Sequence, residues 1–286
     1  MEKIILTRGR WEQSYAIKHI PKQLLKQITI CCHQGEAQHY NRLYPNAFKE
    51  VKEYVGNNVA EARHWSIVNS SADSVLFIED NINLLVRGYE TELGKPNKNK
   101  LYKITPDHFR EETRYKLFVR MFLEIEGKLS HKDYGLVGLS ARGGNGHVEE
   151  DFQDNCRMYG CWAIKVKAYN SMTEKLTDVK FREDFYIMLS LIKNNYKIGC
   201  YFKYAMEKVK GIGTPGGCSN YRTQDLTDAN AMWMAKEFHP FVKAVSRERK
   251  WEGYTGITWD IRVQWKKMYE YYKNKTDSND LFAGQF

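Results

Sequence analysis

Two pairs of adjacent acidic residues are the side chains of this sequence with the clearest chemical potential. The first pair, Glu79-Asp80, is followed by Asn81 and comes directly after the four apolar residues 75–78. The C-terminal ends of parallel strands line the ligand crevice of a sheet, so we expect these groups at the mouth of a site. Carboxylate and amide oxygens suit Mn²⁺ or Mg²⁺, particularly when a substrate diphosphate supplies further ligands. A turn or helix cap is the alternative interpretation.

The second pair, Glu183-Asp184, precedes a segment with the apolar periodicity of a helix. A helix N-terminus stabilises carboxylates, so capping is one interpretation of this pair. If the helix start faces the crevice, one carboxylate could instead take a proton from an attacking hydroxyl group. Both interpretations remain open from the residues alone.

Basic residues stand near the same predicted edge. Thr7-Arg8-Gly9-Arg10 ends the first apolar run, where two guanidinium groups could bind a phosphate or carboxylate. Arg63, on the helical segment before the acidic strand, is a further candidate for phosphate contact, with a solvated helix charge as the alternative. Neither GxxxxGK[ST] nor GxGxxG occurs, which argues against a P-loop NTPase or a Rossmann dehydrogenase.

The elements that must position these residues follow a strand-helix rhythm. Strands are predicted over 3–7, 28–32 and 74–78, and they alternate with helices over 12–26, 36–43 and 59–72, which indicates a parallel sheet with helices on its faces. Further along we predict a helix over 107–128, a strand over 135–139, a flexible loop over 142–147 that needs positive φ angles, and a half-exposed strand over 257–265. Residues 213–219 have the composition of a mobile loop or lid.

The composition limits the class of protein. The chain has 286 residues, 42% of them hydrophobic, which excludes a disordered or fibrous chain. Its formal net charge of +9 suits an anionic partner such as nucleic acid but is equally common on ordinary basic proteins. No apolar stretch is long enough to span a membrane and no secretory signal is present, so we expect a cytosolic protein without a membrane partner. Six cysteines without CxxC pairs indicate reduced, mostly buried thiols, and neither zinc nor disulfides.

The order of these motifs resembles a known family. TRGR at 7–10, CCHQGE at 31–36, the helix with Arg63, FIEDN at 77–81, GLVGL at 135–139, RED at 182–184 and GGCSNYR at 216–222 resemble the nucleotide-sugar-dependent glycosyltransferases of the GT-A fold. Within them the chain looks most like the phage TET-associated glycosyltransferases, which are linked to hypermodified DNA pyrimidines. The resemblance spans about residues 3–265.

The resemblance implies an α/β fold: a Rossmann-like, mostly parallel sheet with helices on both faces and a C-terminal elaboration. We expect one domain over 1–286, with a nucleotide-sugar-binding half at 1–90 and an acceptor-binding half at 91–286. The implied cofactor is Mn²⁺ or Mg²⁺, held by Asp80 and Asn81, and the donor substrate is a nucleoside diphosphate sugar. Glu79 and Asn81 depart from the family's usual aspartates.

The resemblance also implies the remaining site residues. Asp184 matches the general base, with Glu183 beside it. The nucleotide-side pocket is expected to comprise Thr7, Arg8, Arg10, Glu36, Arg63 and Glu79. Independently of the resemblance, His147 and Tyr159 offer rings on which a base could stack, and we expect acceptor contacts from them and from Gly216, Gly217 and Arg222.

The leading hypothesis is an enzyme that transfers a sugar to a hydroxymethylated pyrimidine in phage DNA, such as 5-hydroxymethylcytosine, in the host cytoplasm. Direct displacement with a single base implies inversion at the anomeric carbon, and the target base would have to be flipped out of the duplex. One alternative keeps the fold and the donor but uses a glycan or protein acceptor. A non-catalytic nucleic-acid-binding module is the other alternative.

Overall fold

A ten-stranded sheet is the central element of the structure, a computed structural model that describes residues 1–88, 100–145, 147–209, 223–251 and 254–283. Its strands are β1 (Glu2–Leu6), β2 (Ile28–His33), β3 (Glu50–Tyr54), β4 (Ser74–Glu79), β5 (Ile82–Arg87), β6 (Leu101–Lys103), β7 (Tyr134–Ala141), β8 (Phe152–Asp154), β9 (Cys161–Lys165) and β10 (Lys197–Lys208). A separate antiparallel hairpin consists of β11 (Val242–Trp251) and β12 (Tyr254–Val263).

The strand order places the acidic β4 in the interior of the sheet. The order is β3-β2-β1-β4-β9-β7-β10-β5-β6, and β8 pairs with β10. β1, β2, β3 and β4 are mutually parallel, β9 runs antiparallel between β4 and β7, and β10 is parallel to β7. Among the described strands, β5, β8 and β9 run against the others, which confirms the predicted mostly parallel sheet.

Helices cover both faces of this sheet. They are α1 (Tyr15–His19), α2 (Lys22–Leu25), α3 (Ala37–Leu43), α4 (Val59–Val68), α5 (Glu111–Ser130), α6 (Arg142–Asn145), α7 (Val166–Ser171), α8 (Glu183–Lys193), α9 (Gln224–Glu237) and α10 (Trp265–Ala283). Successive residues of a strand point to opposite faces, so Ile4 and Leu6 join one core with α4, α8 and α9, whereas Ile5 joins another with α1, α2 and α5. The predicted two-faced α/β arrangement is confirmed.

Three local predictions differ from the structure. The helix predicted over 12–26 is divided into α1 and α2 at Pro21, because a proline inside a helix lacks the N–H that the helix needs. Residues 142–145 form the short helix α6, and Gly143 and Gly144 are not in the positive-φ region; Gly146 lies outside the described residues. β12 confirms the strand predicted near 257–265, but Ile257 is exposed and Thr258 is buried, the reverse of the expected alternation.

The described cysteines are free thiols, and all except the half-buried Cys156 are buried, as predicted. Cys218 lies outside the described residues. Among the helices that the structure describes, none combines the length and the apolar character needed to cross a membrane.

Gly138 marks a close approach between β7 and β9. A Cβ atom there would lie 2.6 Å from the Cβ of Trp162 and 2.7 Å from the carbonyl oxygen of Cys161, so the backbone would have to shift. We expect Gly138→Ala to lower the free energy of unfolding by about 1–3 kcal/mol in urea denaturation. Gly127→Ala in α5 is the control: no atom lies within 4 Å of its Cβ, so alanine should stabilise the helix by up to about 1 kcal/mol. A Gly138 variant with wild-type stability would contradict this packing.

Candidate active site

Residues from distant parts of the chain meet at the C-terminal edge of the parallel strands. The register aligns Leu6 at the end of β1 with Glu79 at the end of β4, so the loop after β1 lies beside the first acidic pair. The second acidic pair begins α8 and reaches the same edge through its contact with Arg63. The two acidic pairs that the sequence singles out are therefore parts of one cluster.

Arg63 joins the two acidic pairs. Its Nη2 lies 3.2 Å from Glu79 Oε1, and its Nη1 donates to Glu183 Oε1. The guanidinium carbon stands 4.9 Å from the ring centroid of Trp162, a cation–π contact, and the residue is 0% exposed. The sequence predicts that Arg63 contacts the donor, and this stays a prediction. In the structure Arg63 is fully buried and connects β4 to α8.

Lys208, at the end of β10, is a second cation on Glu79. Its Nζ lies 2.9 Å from Glu79 Oε2, and 48% of its side chain is exposed. Burial opposes ionisation of Glu79, but Lys208 and Arg63 outweigh burial and hold its pKa below the ordinary value. The charge of Glu79 in turn raises the pKa of Lys208. Glu79 is therefore an ionised group with a cation on each carboxylate oxygen.

Asp80 is buried in a hydrogen-bonded network with the loop after β1. Its Oδ1 accepts from Arg10 Nη1 at 2.9 Å and its Oδ2 accepts from Thr7 Oγ1 at 2.7 Å, while Thr7 Oγ1 also lies 2.7 Å from the Tyr40 hydroxyl. Asp80 is only 4% exposed, and burial raises its pKa although Arg10 opposes the shift. The carboxylate thus holds the loop after β1 beside the end of β4.

This network gives Asp80→Ala a cost in stability. The substitution removes two buried hydrogen bonds, those from Arg10 and Thr7 to the Asp80 carboxylate, so we expect the free energy of unfolding to fall by about 1–3 kcal/mol. Asp80→Asn keeps one acceptor oxygen and should lose less. Thermal unfolding of both variants measures the difference, and an Asp80→Ala variant as stable as the wild type would contradict the network.

The loop after β1 is also tied to the residues after β2 and β3. The backbone N–H of Gly9 donates to Glu36 Oε1 at 2.9 Å, and Arg8 Nη1 donates to the carbonyl of Asn57 at 2.9 Å. Burial raises the pKa of Glu36, although the Gly9 and His33 N–H groups oppose this shift. Gly9 has φ +68, a conformation that suits glycine. The predicted donor-side residues therefore lie together, with Arg8 and Glu36 partly exposed.

The two carboxylates at the start of α8 differ in surroundings. Glu183 is 9% exposed and bound to Arg63, and burial raises its pKa, with the charge of Asp184 adding to the shift and Arg63 opposing it. Asp184 is half-buried, and its Oδ1 accepts from the N–H of Phe185 at 3.0 Å. Arg182, with φ +52, is the N-cap residue. Both carboxylates lie in the first turn, and Asp184 is the more accessible.

The predicted acceptor-side residues are only partly brought together. Tyr159 is half-buried beside Lys208, whose Nζ lies 5.7 Å from its ring centroid. The guanidinium carbon of Arg157 lies 5.1 Å from the ring centroid of Tyr159 and 4.5 Å from that of Phe185, so Arg157 lies next to the start of α8. His147 is exposed, two residues beyond α6. Gly216, Gly217, Arg222 and the predicted loop 213–219 lie outside the described residues.

Asp80 and Asn81 offer oxygen ligands of the kind that Mn²⁺ and Mg²⁺ prefer. Each Asp80 oxygen accepts one protein hydrogen bond and keeps further acceptor capacity, although Arg10 would have to share the carboxylate with a cation. Within the described residues, no three His, Cys, Asp or Glu side chains form a metal-binding group. The residues thus fit a cation that takes most of its ligands from a diphosphate and water, as Mg²⁺ commonly does.

The site at the C-terminal edge of the strands lies within the part of the chain that matches a known family. The family model described as TET-Associated Glycosyltransferase matches residues 2–217, which include every cluster residue named above. No curated protein matches the chain.

Several solved structures are similar to the chain at low identity. Glucosyl-3-phosphoglycerate synthase from Mycobacterium tuberculosis, in complex with Mn²⁺, UDP and glucosyl-3-phosphoglycerate, has 12% identity and a TM-score of 0.45, covering 94% of this chain and 91% of that one. The same enzyme with Mg²⁺ and UDP has 13% identity and a TM-score of 0.46, covering 90% and 89%. GalNAc-T7 with UDP, GalNAc and Mn²⁺ has 8% identity and a TM-score of 0.46, covering 82% of this chain and 50% of that one.

Proposed function

The chain belongs to the TET-associated glycosyltransferase family, and from that membership we propose that it transfers a sugar from a nucleoside diphosphate sugar to the hydroxymethyl group of a modified pyrimidine in phage DNA, such as 5-hydroxymethylcytosine. The observation that carries the proposal is the cluster at the C-terminal strand edge, where cationic and acidic side chains from five segments converge beside a half-buried Asp184. The family description and the net charge of +9 favour DNA as the acceptor. Action in the host cytoplasm is part of the proposal.

The donor side is assigned to the segments after β1, β2 and β4. Arg8 and Arg10 carry the fixed positive charge that a diphosphate requires, and the Gly9 backbone allows close approach. Asp80 and Asn81 would hold Mn²⁺ or Mg²⁺, which when bound would neutralise charge on the departing diphosphate. In this assignment residues 1–90 form most of the donor half, and residues 91–286 supply the acceptor half.

The proposed reaction is a single displacement at the anomeric carbon. Asp184 accepts the proton of the acceptor hydroxymethyl group as that oxygen forms its bond to the anomeric carbon. The bond from the anomeric carbon to the diphosphate oxygen breaks at the same time, and the nucleoside diphosphate leaves with the electron pair. Attack opposite the leaving group inverts the anomeric configuration. Arg8 and Arg10 stabilise the charge that develops on the leaving oxygen.

We assign Glu183 and Arg63 a positioning role in this step. Because Arg63 binds Glu183 and Glu79 at once, it fixes the first turn of α8 relative to the end of β4. That connection sets the position of Asp184, which a proton acceptor needs within hydrogen-bond reach of its substrate. The buried Glu183 is too enclosed to meet a DNA acceptor directly.

The acceptor base would have to leave the duplex to reach this edge. A flipped base is commonly held by stacking on aromatic side chains. Tyr159 lies next to Lys208 and Arg157 at the rim of the cluster, and His147 is exposed beyond β7. We assign acceptor contact to the rings of Tyr159 and His147.

Release of nucleoside diphosphate tests the proposal. The protein is incubated with Mn²⁺ or Mg²⁺ and a panel of nucleotide sugars, with hydroxymethylated duplex DNA, the same duplex unmodified, or a glycan acceptor. We expect one donor to be consumed rapidly only with the hydroxymethylated duplex. Stimulation by the glycan would favour the alternative acceptor, and no release with any donor would contradict an active glycosyltransferase.

A further inference from the structure

The β11–β12 hairpin and the start of α10 form a basic segment of the chain. Residues 242–267, from the start of β11 to the first turn of α10, contain seven Lys and Arg residues against three Asp and Glu residues. α9, the β11–β12 hairpin and α10 all lie beyond residues 2–217, the region that the family model matches. The basic segment 242–267 therefore lies outside the region that the family model matches.

The basic residues of the hairpin are concentrated on one of its faces. The register places Lys243 directly opposite Arg262, and Arg247, four residues further along β11, points to the same side. Lys243, Arg247 and Arg262 are exposed, whereas Val242 and Ile261 on the other side are buried in the core. At the end of the hairpin near α10, one side is therefore apolar and buried and the other, the outer face, is basic and exposed. Toward the turn this division reverses, since Thr258, opposite Arg247, is buried and Ile257 is exposed.

The Lys243–Arg262 pair is unfavourable for the isolated protein. Like charges directly opposite each other destabilise an antiparallel pair of strands. The described residues show no ion pair for either side chain, and Asp260, the acidic residue on this face, is already shared between Arg182 and Arg247 at 3.6 Å each. An anionic partner would relieve this repulsion.

The hairpin is fixed to the start of α8. Arg182 Nη1 donates to the carbonyl of Thr227 in α9 at 2.6 Å, and its Nη2 donates to the carbonyl of Trp259 in β12 at 3.1 Å. At the start of α10, Trp265 stacks on Phe185, with ring centroids 5.8 Å apart. Since residues 182 and 185 flank the acidic pair, a partner bound on the hairpin is held close to Asp184.

We propose that the outer face of the β11–β12 hairpin, extended by Lys266 and Lys267 at the start of α10, binds the phosphate backbone of double-stranded DNA. Both lysines are exposed. Several cations on one side of a two-stranded ribbon can contact successive phosphates of a duplex, and each neutralised phosphate releases condensed counterions. This proposal rests on the proposed function, because the role of the surface is to hold the DNA acceptor while a base enters the site.

The test compares two double charge reversals in the full chain. One is Lys243→Glu with Arg262→Glu on the hairpin. The control is Lys22→Glu with Lys26→Glu, at the first residue and the C-cap of α2; both lysines are exposed, and α2 packs on the opposite face of the sheet. Both variants make the same change in net charge. Fluorescence anisotropy with an unmodified duplex, measured over a range of salt concentrations, gives the affinity and its salt dependence.

We expect the hairpin variant to bind duplex DNA at least about 10-fold more weakly and to reduce the slope of log affinity against log salt by about 2, since each phosphate contact contributes about 0.9. The control should change far less. Equal losses of DNA affinity in both variants would overturn the proposal, because they would reflect net charge alone. Tighter binding of the wild type to single-stranded DNA or to RNA than to the duplex would also overturn it. If the charge-reversal variant of the hairpin fails to fold, the Lys243→Ala with Arg262→Ala variant is used instead, and its melting temperature is measured to check that it folds.

A second readout separates this proposal from the proposed function. Nucleoside diphosphate release with a free hydroxymethylated nucleoside as acceptor does not need a DNA-docking surface. If that activity survives in the hairpin variant while activity on the duplex falls, the docking surface is supported. If the wild type glycosylates the nucleoside but both variants bind the duplex equally, the docking proposal fails and the proposed function stands.

Discussion

Asp184→Asn should reduce sugar transfer by about 10²- to 10⁴-fold, the usual contribution of a positioned general base. The amide keeps the size of the side chain and can still accept the hydrogen bond from the N–H of Phe185, but it cannot take a proton at neutral pH. Donor affinity and melting temperature should therefore stay close to the wild-type values. Turnover, donor binding and melting temperature are measured on one preparation.

Asp225→Asn is the matched control for this substitution. Asp225 is the second residue of α9, as Asp184 is the second residue of α8, so both lie in a first turn and interact with a helix dipole. The control should retain normal turnover. If the Asp184→Asn variant also turned over normally and lost only about 1 kcal/mol of stability, the Asp184 carboxylate of the wild type would only stabilise the helix N-terminus. It would then have no part in the mechanism.

Arg63→Met should have the largest effect on stability, with a fall of about 3–5 kcal/mol in the free energy of unfolding. Methionine fills much of the space beside Trp162 but leaves Glu183 buried without its cation, whereas Glu79 keeps Lys208. Breaking a buried ion pair from one side is costly because the remaining charge has no partner. Urea denaturation gives the loss directly.

A second substitution distinguishes this explanation from poor packing. In the Arg63→Met background, Glu183→Gln removes the orphaned charge and should restore part of the lost stability. Arg120→Met on α5 is the surface control, because 63% of the Arg120 side chain is exposed and helical ion pairs such as Arg120–Glu124 contribute about 0.3–0.5 kcal/mol. An Arg63→Met loss no larger than the Arg120→Met loss would contradict the buried network.

The sequence predicts the frame of this site better than its interior. Glu79 and Asp80 could be placed at the sheet edge because four apolar residues precede them and the surrounding strand-helix rhythm indicates parallel strands. The α8 stripe is equally clear, since its apolar spacing follows the helical period. β3 is missed because its sequence, EVKEY, alternates charged residues on a partly exposed edge strand and lacks an apolar run.

The roles of single cations could not be predicted in the same way. Arg63 has the composition of a surface helix charge, and its burial depends on Glu183, which is 120 positions away, and on Trp162 in β9. Lys208 ends a strand whose position beside β7 and β5 emerges only from the assembled sheet. Local periodicity reports which face of an element is buried, but it carries no information on which distant side chains meet there.

Mass spectrometry of nucleosides from treated DNA tests the central claim most directly. Hydroxymethylated duplex DNA is incubated with the full chain, Mn²⁺ or Mg²⁺ and the nucleotide sugar that it consumes, then digested to nucleosides. The account predicts a new nucleoside heavier than the hydroxymethylated pyrimidine by one sugar residue, formed by the wild type and by Asp225→Asn and nearly absent with Asp184→Asn. Donor consumption with every hydroxymethylated nucleoside recovered unmodified would contradict DNA as the acceptor.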